Sequence, residues 1–361
     1  MAVPAFDAKE LTVVTEIPGV FGRPATPIYS FPIAPKEAYK AMMQRKPVWQ
    51  IAGVENQIFT PRILPDNVAR AFVLENEPFD MLKDGGGKDM FGIDWEFIEQ
   101  AGGSMVRPGK PFLEDANDWK EKLVLPDIDT WDWEGSAKSN NDTYLATDRY
   151  TTVWFQTGWF ERLISFMDFE GAIMAIFDED QQDAVHELFD TITDLYIRIF
   201  DKFITYFPSI DGFCIHDDWG SQKETFFSPA VVSEMIVPYM RRVTDFIHSK
   251  GKYCELHSCG NILKQVPNMI AAGWDSWAGQ PMNDTQKIYE LYGDQLLIGV
   301  IPDLFDIETT PEDEQRALAK AFADKFCNPE KPCFLNYSGA GLLTPAYREE
   351  LYKQSRLNYA K

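Results

Sequence analysis

The chain has 361 residues, of which 45% are hydrophobic and 14% aromatic, and this composition excludes an intrinsically disordered protein. A formal net charge of −22 repels nucleic-acid phosphates and anionic membranes, so we expect neither a nucleic-acid partner nor membrane attachment. The length allows either two average domains or one large α/β barrel.

Three features of the sequence bear on where in the cell the protein is expected. No run approaches the roughly 20 apolar residues that span a bilayer. Residues 1–9 show no charged start followed by an apolar run, as a secretion signal would. The five cysteines are an odd number in a long chain, which is typical of reduced thiols. The sequence therefore predicts a cytoplasmic protein.

The N-terminal half carries few regular signals. Residues 47–52, 79–82 and 150–156 form apolar, β-rich runs that predict three strands. The Pro- and Trp-rich stretch 108–135 is expected to lie outside the main sheet. Apolar residues at helical spacing predict a long helix over residues 178–207.

The C-terminal half repeats one pattern, a short apolar strand followed by a loop and an amphipathic helix. Strands are predicted at residues 210–216, 252–258, 274–278, 296–301 and 333–337. Helices are predicted at residues 228–250, 262–272, 285–292, 311–326 and 345–359. Strands that alternate with helices pair in parallel, because each return to the sheet needs a crossover.

Together the two halves supply eight strands, and no glycine-rich dinucleotide fingerprint follows any of them. We therefore expect an α/β protein with a closed (β/α)8 TIM barrel. The predicted organisation is a single domain, with an N-terminal extension at residues 1–35 and the barrel at residues 36–361. In such barrels the active site lies at the mouth, where the carboxyl ends of the strands meet.

The first candidate site follows the strand at residues 252–258. His257 and Cys259 are two positions apart and face the same side of an extended chain. An imidazole and a thiolate on one face form half of a zinc site. The alternative is a buried Cys259 beside a hydrogen-bonded His257. Glu255 shares the face of His257 but lies deeper in the strand.

The second candidate site follows the strand at residues 210–216, where Asp217 and Asp218 are adjacent. Successive residues alternate sides, so only one of the two carboxylates is expected to point into the mouth. That carboxylate could serve as a general acid, a substrate anchor or a metal ligand. The alternative is an aspartate that caps a helix or a loop.

Four tryptophans lie in or just after predicted strands: Trp49, Trp154, Trp219 and Trp277. Strand tryptophans mostly belong to the core, where large aromatic side chains dominate packing. Several of them near one mouth would instead form a flat-walled pocket for an aromatic or macrocyclic ligand.

Taken together, these segments resemble the uroporphyrinogen decarboxylase superfamily, and in particular its corrinoid methyltransferase branch. The resemblance covers residues 36–358 and is strongest from residue 160 onward. The residues that carry it are Asp211-Gly212, Asp217-Asp218-Trp219-Gly220-Ser221-Gln222, Ser228-Pro229, Pro238-Tyr239, His257-Ser258-Cys259-Gly260-Asn261, Gly273 and Gln280. The His-Ser-Cys-Gly-Asn segment is the most specific of these motifs.

The true decarboxylases of this superfamily carry an arginine-rich stretch after the first strand, which holds the carboxylates of the porphyrin. The equivalent residues 50–57 contain no arginine and one acidic residue, Glu55. A tetrapyrrole with many carboxylates needs cationic partners, and this loop would repel it. The sequence therefore argues against decarboxylation.

The resemblance implies that His257 and Cys259 bind zinc. In the methyltransferase branch a cysteine in the turn after the last strand supplies the third ligand, and Ala340 stands at that position here. Cys333 has a suitable spacing but is expected at the far end of its strand. Glu255 and one of the two aspartates are the oxygen-donor alternatives for this third ligand.

The implied activity is transfer of a methyl group from a methyl ether, such as a methoxylated aromatic, to the cob(I)alamin of a separate corrinoid protein. With fewer thiolates, zinc is a harder Lewis acid that suits an oxygen ligand. Asp217, Asp218 and His257 are the candidate catalytic residues. The candidate substrate-binding residues are Trp49, Trp154, Trp219, Gln222 and Gln280.

The implied partners are the corrinoid protein and a small-molecule methyl donor, and a homodimer remains open. Three other functions stay open from the sequence. One is methyl transfer from a methylcorrinoid to a thiol. Another is a divergent decarboxylase-like lyase, and the third is a non-catalytic protein that binds a tetrapyrrole or a partner.

Overall fold

A computed structural model describes residues 4–17 and 25–361 of the chain. The predicted N-terminal extension therefore includes positions 1–3 and 18–24, which lie outside the described residues. The strands are β1 Val13–Ile17, β2 Thr26–Tyr29, β3 Asn56–Phe59, β4 Gly87–Lys88, β5 Asp94–Ile98, β6 Gly103–Val106, β7 Tyr150–Phe155, β8 Gly212–His216, β9 Tyr253–His257, β10 Ser276–Trp277, β11 Leu297–Val300 and β12 Phe334–Leu335.

The helices of the N-terminal half are short, and all the helices longer than nine residues lie after residue 158 among the described residues. They are α1 Pro35–Met43, α2 Pro65–Ala69, α3 Met81–Asp84, α4 Trp119–Lys122, α5 Trp133–Asn140, α6 Trp159–Phe177, α7 Glu179–Tyr206, α8 Pro229–Met235, α9 Val237–Ser249, α10 Val266–Ala271, α11 Thr285–Tyr292, α12 Glu312–Phe326 and α13 Pro345–Tyr359. None of the described helices has the length and apolar composition needed to cross a bilayer.

The described chain forms two compact units whose sequence ranges interleave. The terminal unit comprises Met1–Gln57, Asp148–Tyr150 and Asp275–Lys361. The central unit comprises Ile58–Thr147 and Thr151–Trp274.

Three parallel strands organise the central unit. β8 pairs with β7 on one side and with β9 on the other, and in the second pair His216 is opposite His257. Every residue of β8 is buried, as expected for a parallel strand that is covered on both faces. The terminal unit likewise pairs β11 in parallel with β10 and with β12. The predicted α/β fold is confirmed, while closure into eight strands stays a prediction.

The predicted helix at residues 228–250 is two helices, α8 and α9, which meet at Ile236. Pro238 explains the break, because proline lacks the N–H that a continuous helix would bond to the preceding turn. The predicted helix at 262–272 similarly starts as a 3-10 turn, Leu263–Gln265, before α10 begins.

Two predicted strands of the N-terminal half were wrong. Residues 79–82 include the start of α3, whose first turn is capped by the Asp80 carboxylate through the N–H of Leu82, 3.1 Å away. Residues 47–52 form no regular strand among the described residues. Ile51 nevertheless accepts a backbone hydrogen bond from Leu335 of β12, so this segment runs along the strand without forming a ladder.

The central unit also contains an antiparallel sheet of β4, β5 and β6, which was not predicted from the sequence. A buried ion-pair network holds the turn between β4 and β5. The Arg162 guanidinium contacts the carboxylates of Asp66 and of Asp89, the latter at 2.7 Å. Asp89 also accepts N–H bonds from Phe91 and Ile93 of the same turn.

Candidate metal centre

Two neighbouring strand ends in the central unit present four side chains whose donor atoms could hold a metal ion. β8 ends at His216 and β9 ends at His257, and these residues are paired in register. Asp218 and Cys259 each follow the histidine of their own strand by two positions. The ligand atoms of these four side chains all lie within 4.8 Å of one another. We call this set, His216, Asp218, His257 and Cys259, the four-residue cluster.

Direct contacts link the members of the cluster in pairs. An oxygen of Asp218 lies 3.1 Å from Nε2 of His216 and accepts the backbone N–H of Cys259 at 2.6 Å. The Cys259 sulfur lies 3.4 Å from Nε2 of His257. Burial raises the pKa of Asp218, but the hydrogen bond from His216 and the N–H of Cys259 outweigh it. Asp218 is therefore a carboxylate, with its pKa well below the usual range.

The two histidines differ in protonation. Burial and the neighbouring charge of His216 lower the pKa of His257 to about 4, so its ring is neutral and keeps a lone pair. For His216, burial also acts to lower the pKa, but hydrogen bonds to Asp218 and Cys259 raise it to about 10. His216 is therefore protonated, and its Nε2–H can donate to the Asp218 carboxylate 3.1 Å away.

The ring of His216 is oriented from its other side. Its Nδ1 lies 3.0 Å from the Gln156 carbonyl oxygen and 3.0 Å from a guanidinium nitrogen of Arg70. A carbonyl only accepts and a guanidinium only donates, so Nδ1 can bond to one of them at a time. Protonated on both nitrogens, His216 donates from Nδ1 to Gln156 and from Nε2 to Asp218.

Arg70 is fixed next to the cluster by a second residue. Its guanidinium donates to the Glu161 carboxylate at 2.8 Å and lies over the ring of Trp95, 4.8 Å from its centroid. Glu161 belongs to the first turn of α6. Because Glu161 neutralises Arg70, this arginine does not provide the unpaired positive charge that a polycarboxylate substrate would need.

Asp217 faces away from the cluster, as alternation along the chain predicts for one of the two aspartates. Its carboxylate accepts the backbone N–H of Glu161 at 2.9 Å and the indole N–H of Trp219 at 3.0 Å. Complete burial raises the pKa of Asp217 to about 7. This carboxylate joins the start of α6 to the loop after β8, and its contacts are those of a structural residue.

Gly158, directly before α6, makes this close approach to Asp217 possible. A Cβ at position 158 would lie 2.5 Å from the Cβ of Asp217. We expect Gly158→Ala to lower the free energy of unfolding by about 1–3 kcal/mol through overpacking, measured by urea denaturation. Gly103→Ala is the matched control, since nothing lies within 4 Å of its new Cβ. Equal stabilities for the two variants would contradict this packing account.

The donor set fits a zinc ion. Tetrahedral zinc with bonds of about 2.0–2.3 Å places its donor atoms about 3.3–3.8 Å apart, a spacing that the cluster reaches with small side-chain movements. Two imidazoles, one carboxylate and one thiolate are all zinc ligands in proteins. Burial raises the pKa of the Cys259 thiol, so a zinc ion bound here would have to displace its proton. The resulting thiolate and the Asp218 carboxylate would then supply two negative charges for the divalent cation.

Aromatic side chains lie beside this cluster. The ring of Trp154 in β7 lies 5.0 Å from the ring of His257, measured between centroids. Phe72 packs edge-on against Trp154 at 6.0 Å. Both rings are half-buried, so they leave part of an apolar wall accessible next to the four-residue cluster.

The family model described as uroporphyrinogen decarboxylase (URO-D) matches residues 147–344, which is just over half of the chain. The chain belongs to the uroporphyrinogen decarboxylase family. The parallel strands β7, β8 and β9 and all four cluster residues lie within the matched range. The resemblance inferred from the motifs is therefore confirmed at the level of the family.

A solved structure shares the fold of this family member. It is described as a methyltransferase from Methanosarcina mazei, with 15% sequence identity and a TM-score of 0.52. The similarity covers 89% of this chain and 84% of that chain. The search of curated protein sequences gave no match.

The other predicted site residues of this family member are placed as follows. In the central unit, Glu255 is half-buried outside the group of four, and Gln222 is exposed. The terminal unit contains Trp49, Cys333 and Gln280. The indole of Trp49 donates to Glu55. Cys333 is completely buried, and burial raises its thiol pKa well above the ordinary value.

Three residues around the cluster were not singled out from the sequence: His216, Arg70 and Glu161. A signal for His216 was present, because His216-Asp217-Asp218 after β8 has the same spacing of ligands as His257-Ser258-Cys259 after β9. No comparable signal marks Arg70 or Glu161, which come from α2 and α6 and reach the cluster only through the folded structure.

Proposed function

We propose that this protein is a zinc-dependent methyltransferase that moves the methyl group of a methyl ether to the cob(I)alamin of a separate corrinoid protein. The observation that carries the proposal is the four-residue cluster, which offers one sulfur beside nitrogen and oxygen donors. Membership of the uroporphyrinogen decarboxylase family and the fold shared with a methyltransferase support it.

The composition of the cluster supports an oxygen-containing substrate. Soft thiolate sets keep a zinc-bound sulfur nucleophilic, whereas a set with one thiolate and one carboxylate leaves zinc a harder Lewis acid. A zinc ion held here would polarise an ether oxygen and make the alkoxide or phenolate a better leaving group. The single sulfur thus disfavours the alternative transfer from a methylcorrinoid to a thiol.

The four residues of the cluster have different proposed roles in holding the zinc ion. A catalytic zinc keeps one position open for substrate, so three protein ligands suffice. We assign His257, Cys259 and Asp218 to these positions. His216 then donates from Nε2 to Asp218, at the observed 3.1 Å, and fixes the orientation of that carboxylate.

The apolar wall that Trp154 and Phe72 form beside His257 would position the substrate. Trp154 and Phe72 present the flat surface that an aryl ether needs, and they exclude water from one side of the metal ligands. Water exclusion matters because cob(I)alamin is a strong nucleophile that must meet the methyl carbon in line with the breaking carbon–oxygen bond. Among the described residues around the cluster, none offers a binding site for the corrinoid. The proposal therefore requires a separate partner protein to carry it.

The test uses purified full-length protein, zinc, a reduced corrinoid protein and a panel of methoxyarenes. The expected result is a spectral change from cob(I)alamin to methylcob(III)alamin, with the demethylated phenol as the second product. Parallel reactions offer a thiol acceptor with methylcorrinoid, and a porphyrinogen with detection of carbon dioxide. Activity in either parallel reaction without any ether demethylation would overturn the proposal.

A further inference from the structure

One buried side-chain amide beside the four-residue cluster lacks a hydrogen-bond partner. Gln156 directly follows β7 and is 6% exposed, yet its amide nitrogen Nε2 makes no hydrogen bond among the described residues. The other buried glutamines of the described chain have hydrogen-bonded amide groups, and they are Gln50, Gln57, Gln265 and Gln315. A buried N–H without an acceptor costs free energy, so this one points to a partner outside the chain.

The strand register places Gln156 level with the two histidines of the cluster. β7 and β8 pair Phe155 with Ile215, so the next residues along the two chains, Gln156 and His216, are neighbours. The Gln156 carbonyl oxygen lies 3.0 Å from Nδ1 of His216, which agrees with this position. Since β8 and β9 pair His216 with His257, the three chains present Gln156, His216 and His257 in one row.

Alternation along β7 puts the side chain of Gln156 on the face that carries the cluster. Trp154 is two positions earlier and therefore shares the face of Gln156. The ring of Trp154 lies 5.0 Å from the ring of His257, which identifies this face as the side of the cluster. The unpaired amide thus lies on the same side of the sheet as the apolar wall formed by Trp154 and Phe72.

The charged groups near Gln156 are already paired with one another. The protonated His216 faces Asp218 at 3.1 Å, and Arg70 is paired with Glu161 at 2.8 Å. Each cation thus has its own carboxylate, and the amide of Gln156 is neutral. An anionic ligand would lose its water here without gaining a free cation. These surroundings therefore favour a neutral oxygen acceptor for the N–H of Gln156 over a carboxylate.

We propose that Gln156 is a substrate-binding residue whose amide donates a hydrogen bond to a second, neutral oxygen of the methyl ether. The inference rests on the proposed function for the reaction and adds the substrate class, an aromatic methyl ether with a further ether or carbonyl oxygen. The ring of the substrate packs against Trp154 and Phe72 while this oxygen accepts from Nε2 of Gln156. A ligand without the second oxygen leaves the amide buried and unpaired, so Gln156 selects against it.

Matched pairs of neutral ligands test this contact without any corrinoid protein. The three isomers of dimethoxybenzene are titrated into the full-length protein with zinc present. Each is compared with the ethylanisole in which a methylene group replaces one ether oxygen. We expect at least one dimethoxybenzene to bind about tenfold more tightly than its ethylanisole counterpart, the effect of one hydrogen bond to a buried donor. Isothermal titration calorimetry measures both dissociation constants.

Gln156→Met keeps the length of the side chain and removes both N–H donors. We expect this variant to bind both members of each pair equally, because neither ligand gains a hydrogen bond. Gln182→Met is the matched control, since that glutamine of α7 belongs to the same unit and donates to the Ile176 carbonyl at 2.8 Å. It should keep the preference of the unmodified protein. Equal binding within every pair by the unmodified protein, or an unchanged preference in Gln156→Met, would refute the assignment.

Thermal denaturation without ligand distinguishes a binding residue from a structural one. Gln156→Met should melt no lower than the unmodified protein, because it loses no internal hydrogen bond of Nε2. Gln265→Met should melt lower, since the amide of Gln265 donates to the Thr225 hydroxyl and to the Phe227 carbonyl. If the two variants lost stability equally, Gln156 would be a structural residue and the inference would fail.

The corrinoid assay on the same proteins separates this inference from the proposed function. Methyl transfer at equal kcat/KM for both members of every pair would refute the role of Gln156 and leave the proposed function in place. A binding preference that Gln156→Met abolishes, together with no methyl transfer from any ether, would have the opposite meaning. The ligand site would then stand and the proposed reaction would be wrong.

Discussion

Replacing His257 with alanine is expected to abolish zinc binding and methyl transfer together. The ring of His257 is neutral because burial and the charge of His216 lower its pKa to about 4, so its lone pair is available to a metal at neutral pH. Loss of a residue that only orients a metal ligand already costs about 10–100-fold in metal affinity or activity, and loss of a direct ligand should exceed that range. Elemental mass spectrometry on untagged protein measures the zinc content, and the corrinoid assay measures the rate.

Matched variants make this result specific. His186→Ala removes a histidine of the same unit whose ring contacts the Tyr239 hydroxyl at 2.7 Å, and it should keep its zinc. Asp218→Asn removes the cluster carboxylate and should lose most of its zinc. Asp217→Asn alters the adjacent aspartate, which faces the start of α6, and should keep zinc while losing stability. Zinc in His257→Ala at the level of the unmodified protein would contradict the assignment of the ligands.

Arg162→Ala is expected to lower the free energy of unfolding by about 3–5 kcal/mol. The side chain is completely buried and contacts two buried carboxylates, Asp66 and Asp89. Its removal leaves both carboxylates in an apolar interior without their cation. Their desolvation is then uncompensated, and the turn between β4 and β5 loses its anchor to α6.

Urea denaturation followed by circular dichroism measures this loss. Arg107→Ala is the control, because Arg107 forms an ion pair with Glu96 at an exposed position, where solvent screens the charges and the pair adds little stability. If both variants lost the same small amount of stability, the buried network would not hold the antiparallel sheet in place.

The C-terminal half of the fold could be predicted because its local signals agree with one another. Thr285–Tyr292 and Pro345–Tyr359 match the predicted helices residue for residue, and each begins after a capping side chain, Asp284 or Thr344. The strands between the helices are short apolar runs flanked by turn residues. Hydrophobic periodicity and capping therefore determine these elements largely from local sequence.

The N-terminal half lacks this agreement. Residues 79–82 were predicted as a strand but include the start of α3. Asp80 caps this helical turn, which the apolar residues alone did not indicate. Residues 47–52 have a strand-like composition but do not form a ladder of backbone hydrogen bonds. They make isolated contacts instead, such as the hydrogen bond from the Gln50 side chain to the Cys333 carbonyl. Such outcomes depend on tertiary partners that are far away in the sequence.

Half of the metal cluster followed from alternation along an extended chain, which puts His257 and Cys259 on one face. Alternation also separated Asp218 from Asp217, but it could not tell which of the two joins the cluster. His216 required knowing that β8 and β9 are neighbours in register. Arg70 and His216 are in contact although they are 146 positions apart in the sequence, and hydrophobic periodicity does not predict such a contact.

Arg348 illustrates a different limit. An arginine in an amphipathic helix usually reaches solvent, and the sequence gives no sign that this one is buried. Arg348 is 9% exposed and lacks an ion pair among the described residues, and only the folded structure shows this, because its acidic neighbour Glu55 lies nearly 300 residues earlier.

X-ray absorption spectroscopy at the zinc edge tests the central claim most directly, because it counts the sulfur ligands of the bound ion. For zinc-loaded protein the account predicts one sulfur at about 2.3 Å and three nitrogen or oxygen donors at about 2.0 Å. The sulfur shell should disappear in Cys259→Ser. A spectrum with two or more sulfur ligands, or with none in the unmodified protein, would contradict the metal centre described here.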